Sequence, residues 1–164
     1  MKNLRMISFS IYLSLFSLLS LLSQPKIQYN SLDEQMPIDP AIRIGTLSNG
    51  LKYYIKYNKK PEKRAELMLV VNAGAICEDP DQNGLAHFCE HMAFNGTKNF
   101  PKQALIDYLE SIGVKFGPEL NAYTSWDETV YMLQLPTDSS EQFLKGFQVL
   151  VDWATNVSFE SNEI

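Results

Sequence analysis

Both histidines of this 164-residue chain fall in one five-residue run, His87-Phe88-Cys89-Glu90-His91, with a glutamate directly before the second. Imidazole nitrogens and carboxylate oxygens bind divalent metals and carry protons near neutral pH. On a helix, His91 lies about 40° to one side of His87 and Glu90 about 60° to the other, so the three project within an arc of about 100°. Leu85, Ala86, Phe88, Cys89, Met92 and Ala93 take the opposite arc, the face that must pack.

Zinc suits that stripe. Imidazoles at i and i+4 reach one point about 2.0–2.1 Å from a metal, and a catalytic zinc takes three protein ligands and leaves a position for a water of lowered pKa. A carboxylate beside the metal but not on it can take the proton of that water and pass it to a leaving amine, which is the place of Glu90. The bland alternative is a surface helix carrying a His/Glu pair three apart, stabilising by ~0.2–0.5 kcal/mol. Its weakness is that the stripe is narrow and its flanks are apolar.

The elements that must hold this stripe follow from periodicity and turn chemistry. Residues 42–58 carry two extended runs about Ser48-Asn49-Gly50, and Asn-Gly between such runs signals a hairpin. Residues 65–74, "AELMLVVNAG", predict a third strand, apolar on both faces over Leu67–Val71 and therefore central. A turn-rich loop, "CEDPDQNG", leads to a helix from near Gly84, capped by Asn83 or Asp81. That helix stops at Asn95-Gly96, read as a left-handed cap. A second helix places Pro101 in its first turn and Leu105, Ile106, Leu109 and Ile112 on one stripe. "NAYTS" (121–125) and "ETVYMLQLP" (128–136) predict paired strands joined at Trp126-Asp127. A long helix over 139–156 presents Phe143, Phe147, Leu150, Val151 and Ala154. The expected fold class is α+β, a mostly antiparallel sheet with helices packed on one face.

Composition is ordinary for a globular chain, and a net charge of −5 with no basic stripe argues against nucleic-acid binding. The cationic run over 56–64 reads as a solvated loop between strands. Residues 1–23 begin with Lys2 and Arg5 and continue with an apolar, serine-rich run too short for a comfortable membrane span, the pattern of a secretory signal; an uncleaved anchor is the alternative. No cysteine follows for lipid attachment, and removal of the segment takes two cations and no anions, moving the charge from −5 to −7. The expected organisation is signal 1–23, lead 24–41 and a domain over 42–164, exported, with no membrane association after signal removal. Cys77 and Cys89 are expected to be buried free thiols, since a bridge needs Cα atoms within about 7 Å.

His-x-x-Glu-His is the inverted zinc motif, and "HFCEHMAFNGTKNFP" resembles the zinc-binding helix and following loop of the insulinase/pitrilysin metallopeptidases. "LSNGLKYYI", "AGAICEDPDQNGLAHF" and "LNAYTSWDETVYMLQLP" resemble that family in order and spacing, over about residues 36–164, most closely its exported bacterial zinc proteases. The resemblance implies that His87 and His91 are zinc ligands and Glu90 the general base. It also implies that Asn121, Ala122 and Tyr123 lie on the edge strand that pairs with a peptide or unfolded protein substrate. For Asn121 a turn residue, and for Tyr123 and Trp126 ordinary packing, remain open alternatives.

The same resemblance expects a third ligand from a glutamate some 75–85 residues beyond the motif, whereas Ile164 is 73 residues after His91. Glu160 and Glu163 are not assigned as that ligand. The expectation is an N-terminal piece of a zinc metalloendopeptidase, incomplete at its C-terminus, inactive alone and partnered by the remaining domains. A non-catalytic peptide-binding or scaffolding member is the alternative, as is a plain α+β domain with a fortuitous stripe.

Overall fold

The computed structural model describes residues 35–161. The expected signal segment 1–23, residues 24–34 of the lead, and Glu163 lie outside them. The chain divides into two compact units, one ending at Tyr57 and the other beginning at Asn58. In the first, β1 (Ile42–Thr46) pairs antiparallel with β2 (Lys52–Lys56), Ile42 opposite Lys56 and Thr46 opposite Lys52. The predicted Asn-Gly turn joins them: Leu47 N–H donates to Leu51 O at 2.8 Å and Gly50 N–H to Leu47 O at 2.9 Å.

The second unit is a three-stranded antiparallel sheet, β3 (Arg64–Val71), β4 (Leu120–Thr124) and β5 (Thr129–Pro136), in the order β3-β5-β4. Among the described residues three α-helices accompany it: α1 (Leu85–Asn95), α2 (Ala104–Ser111) and α3 (Ser140–Thr155). The α+β class expected from the sequence is the one observed. The core gathers on one sheet face, where Leu67 and Leu69 of β3, Tyr131, Leu133 and Leu135 of β5, and Leu120 and Ala122 of β4 meet α1, α2 and α3. Among the described residues no helix is long and apolar enough to cross a membrane.

The central strand is β5, not β3. The apolar run of β3 is split by the pleat: Leu67 and Leu69 face the core, while Met68 (61% exposed) and Val70 (52%) stand on the open face. β5 has a strand on each side, and on its open face Val130 is buried beside Tyr123 while Met132 and Gln134 are half-buried.

α3 buries a different face from the one its periodicity suggests. Gly146, Val149, Asp152 and Trp153 point inward, whereas Phe147 and Val151 are exposed and Phe143 and Leu150 half-buried. Gly146 explains this choice. A Cβ there would overlap the Leu135 methyl of β5, so its absence lets α3 lie close on the sheet along that face. Asp152 is tolerated inside because five hydrogen-bond donors surround it.

α2 begins at Ala104, three residues after Pro101. Lys102 has φ 53°, a left-handed conformation that keeps Pro101 outside the helix, and the Pro101 carbonyl accepts from Ala104 N–H at 3.1 Å. Leu105 and Leu109 are buried as expected, with Ile106 and Ile112 packed beside them. The two thiols are free, but neither is fully buried: Cys77 is exposed and Cys89 half-buried.

Candidate metal centre

α1 carries the three motif residues, and both its ends are held from outside. Its N-terminus does not use Asn83 or Asp81. Gly84 occupies the cap position at φ 91°, where no side chain supplies a local cap. Instead Glu78, in the preceding loop, accepts from Gly84 N–H at 2.8 Å and Ala86 N–H at 2.7 Å. These are two of the amides a helix start leaves unpaired, and the negative charge complements the helix dipole. The bonds from Ala86 and then Gly84 hold the Glu78 carboxyl below its ordinary value.

At the other end Gly96 stops the helix at φ 158°, ψ 147°, which is not the left-handed cap expected. The terminal carbonyl of Ala93 accepts instead from the Trp153 indole of α3 at 3.1 Å. The loop beyond is tied to α3 by Asp152, which accepts from Thr97 Oγ1 at 2.7 Å, Asn99 N–H at 2.9 Å and Asn99 Nδ2 at 2.7 Å. Consecutive residues of one helix therefore fix the end of another.

Within this frame the Nε2 atoms of His87 and His91 face each other at 3.1 Å, with ring planes 65° apart. Two nitrogens bound to one tetrahedral zinc at about 2.0–2.1 Å stand about 3.3–3.4 Å apart. The pair thus fits two positions on a shared ion with a shift of a few tenths of an ångström. Both imidazoles are exposed and line an open groove of about 860 Å³ that also includes Phe94, Gln103, Ile106 and Phe116. Among the described residues no set of three or more His, Cys, Asp or Glu is placed to hold a metal, and Glu160 is exposed.

Glu90 is placed differently from the histidines. It is only 8% exposed and turns toward the sheet, where Thr124 Oγ1 at the end of β4 donates to its Oε2 at 2.6 Å. Among the described residues its Oε1 has no hydrogen-bond partner, and since no buried side-chain oxygen among them is left unpaired, that atom is not fully enclosed by them. One oxygen is anchored and one is open, the state suited to accepting a proton. Burial, followed by the nearby Glu90 charge, pushes the Tyr131 phenol up to about 12.

The predicted substrate positions lie on the strand that contacts Glu90. β4 has β5 on one side and no strand on the other among the described residues. Asn121 and Tyr123 are exposed and Ala122 half-buried, so Tyr123 is no core residue, although it lies beside buried Val130 on the edge strand; Trp126 too is exposed. Asn121 Oδ1 accepts from Ala122 N–H at 2.9 Å, and the Tyr123 hydroxyl donates to Glu128 at 2.7 Å. Sequence reasoning missed Glu78, Thr124, Asp152 and Trp153. Thr124 lies within the predicted strand 121–125, but nothing local marks its partner 34 residues away.

Comparison with known proteins identifies the family. Residues 54–164 match the family described as Insulinase (Peptidase family M16). Over 155 residues, 94% of this chain, it is 39% identical to "Probable zinc protease PqqL" of Haemophilus influenzae, spanning 16% of that protein. It is 39% identical over 120 residues to "Zinc protease PQQL-like" of Arabidopsis thaliana, 73% of this chain and 13% of that one. The crystal structure of the first half of the periplasmic protease PqqL from Escherichia coli superposes with a TM-score of 0.75 at 39% identity, over 78% of this chain and 27% of that one. The chain spans less than a third of each of these relatives. By sequence match and by fold, the chain belongs to the insulinase family, peptidase family M16.

Proposed function

We propose that this chain forms the zinc-binding N-terminal part of an exported metalloendopeptidase that hydrolyses peptide bonds in peptides or unfolded proteins. The observation that carries the reading is the opposed His87–His91 pair, 3.1 Å apart, on the same helix as a buried carboxylate with one anchored oxygen. His87 and His91 supply two zinc ligands, and a third comes from a residue outside the described set. Zinc held there supplies Lewis acidity, acidifying water and polarising a carbonyl.

The chain's own residues do the rest. Glu90 takes the proton of the attacking water on Oε1 and delivers it to the departing amine nitrogen. The outer edge of β4 over Asn121, Ala122 and Tyr123 receives the substrate main chain, with Ala122 turning its N–H and C=O outward while Asn121 and Tyr123 pair with β5, which gives affinity independent of substrate side chains. The bond that Ala122 N–H donates to Asn121 Oδ1 must open for that amide to take part. The remaining domains enclose the bound peptide. The apolar opening segment with Lys2 and Arg5, together with the description of the Escherichia coli relative as periplasmic, supports export to the periplasm.

Glu90→Gln tests the assignment in the full-length protein. Turnover of an internally quenched fluorogenic peptide is expected to fall by about 10²–10⁴-fold, with zinc content unchanged. His87→Ala and His91→Ala are expected to lose zinc. Full turnover by the Glu90→Gln protein, or zinc retained by both histidine variants, would overturn the reading.

A further inference from the structure

The oxygen of Glu90 that the proposed reaction leaves idle is held by a residue on the proposed substrate strand. Thr124 is the last residue of β4, following Asn121, Ala122 and Tyr123 directly, and its Oγ1 lies 2.6 Å from Glu90 Oε2. A hydroxyl has one proton to give, and the neighbouring groups leave this one for Glu90. Thr129, the register partner of Thr124, donates its own proton to the Ala73 carbonyl at 2.9 Å, and its Oγ1 stands 3.5 Å from Thr124 Oγ1. Thr129 therefore does not compete as a donor to Glu90, and it fixes the end of β5 against which Thr124 sits.

A short bond from a neutral hydroxyl to a carboxylate is a charge-assisted bond, with stronger directional preference than a neutral pair. Its effect here is rotational: with Oε2 pinned, the turn of the carboxylate is restricted and Oε1 is left open among the described residues. Because the pin sits on β4, a peptide that aligns against this strand is aligned against the same backbone that sets the carboxylate. Small misplacements of a catalytic group carry large rate costs.

We propose that Thr124 is a positioning residue for peptide hydrolysis, setting the Glu90 carboxylate so that Oε1 is the oxygen that exchanges the proton, and coupling it to the strand that receives substrate. The proposal rests on the assignment of Glu90 as the base. In the step it serves, an O–H bond of water breaks as its proton goes to Oε1 and its oxygen bonds to the carbonyl carbon. The C–N bond then breaks as the proton passes from Oε1 to the leaving nitrogen. Thr124 gives up no proton at any stage.

The experiment compares Thr124→Val, Thr124→Ser and Glu90→Gln in the full-length protein, measuring kcat and KM on a fluorogenic peptide together with bound zinc. Valine keeps the β-branched shape and removes the hydroxyl. The expected result is a fall in kcat of about 10–100-fold for Thr124→Val, with KM within about twofold and zinc stoichiometry unchanged. Thr124→Ser restores most of kcat. If the valine variant does not fold, Thr124→Ala against Thr124→Ser makes the same comparison. Unchanged kcat in the hydroxyl-free variants with an inactive Glu90→Gln protein would overturn the role of Thr124 and leave Glu90 as base. A rise in KM with kcat unchanged, or no rescue by serine, would also overturn it, as a purely structural strand position would give. An active Glu90→Gln protein would instead overturn the function on which the proposal stands.

Discussion

Asp152 offers the sharpest quantitative test of how α1 is held. Its side chain is fully buried on α3, and its oxygens accept from Thr97 Oγ1, Asn99 N–H, Asn99 Nδ2, Gln148 Nε2 and Asn156 Nδ2 at 2.7–3.1 Å. Burial alone would raise its pKa, but the bonds from Thr97, Asn99 and Asn156 outweigh it and hold the carboxyl at about 2, against an ordinary 3.8. That fall corresponds to about 2.5 kcal/mol of stability at neutral pH. Because the folded value is the lower one, the contribution is complete well above pH 3.8 and is lost as pH falls through about 2. Asp152→Asn, which keeps the size and discards the charge, is expected to cost about 2–3 kcal/mol at pH 7. Asp152→Ala, which also leaves the buried Thr97 hydroxyl without its acceptor, should cost about 3–5 kcal/mol. Urea unfolding followed by circular dichroism at pH 7 and pH 3 reads both effects. The gap between wild type and Asp152→Asn should shrink by about 1 kcal/mol at pH 3, where the wild-type advantage is partly titrated away. A cycle with Thr97→Val should show coupling of about 1 kcal/mol or more. An Asp152→Asn protein within about 0.5 kcal/mol of wild type at pH 7, or a gap that does not narrow with acid, would refute the account.

Three further outcomes are expected. Glu78→Ala should fray the first turn of α1, seen as faster hydrogen exchange at the Gly84 and Ala86 amides; in the wild type the same protection should weaken as acid protonates Glu78, whose folded pKa is the depressed one. Gly146→Ala should destabilise by about 1–3 kcal/mol despite the better helix propensity of alanine, because the new methyl overlaps Leu135, and Leu135→Ala should relieve part of that clash. Absorbance titration should show one tyrosine ionising near pH 12, lost in Tyr131→Phe; since its folded value is the raised one, the stability it reports is present below pH 10 and lost as pH rises through about 12.

The elements legible in the sequence are those fixed by near neighbours. The Asn49-Gly50 hairpin, the Trp126-Asp127 connection between β4 and β5, and the helix bearing His87, Glu90 and His91 are set by turn chemistry and periodicity within about a dozen residues. The opposed imidazoles follow directly, because a four-residue separation on a helix brings two side chains together whatever surrounds it.

What the sequence left open depended on partners far along the chain. α3 has apolar residues on two faces, and the choice between them was made by the close approach of Gly146 to Leu135 and by donors from a loop more than fifty residues upstream that made Asp152 acceptable inside. The apolar run of β3 read as a central strand, and only pairing order made β5 the central one. The sequence by itself determined the chemistry-bearing stripe and its helix, because both are local. Tertiary structure alone decided what caps that helix, what anchors its end and which oxygen of Glu90 is held, because hydrogen bonds between elements depend on a spatial register that no short stretch of residues encodes.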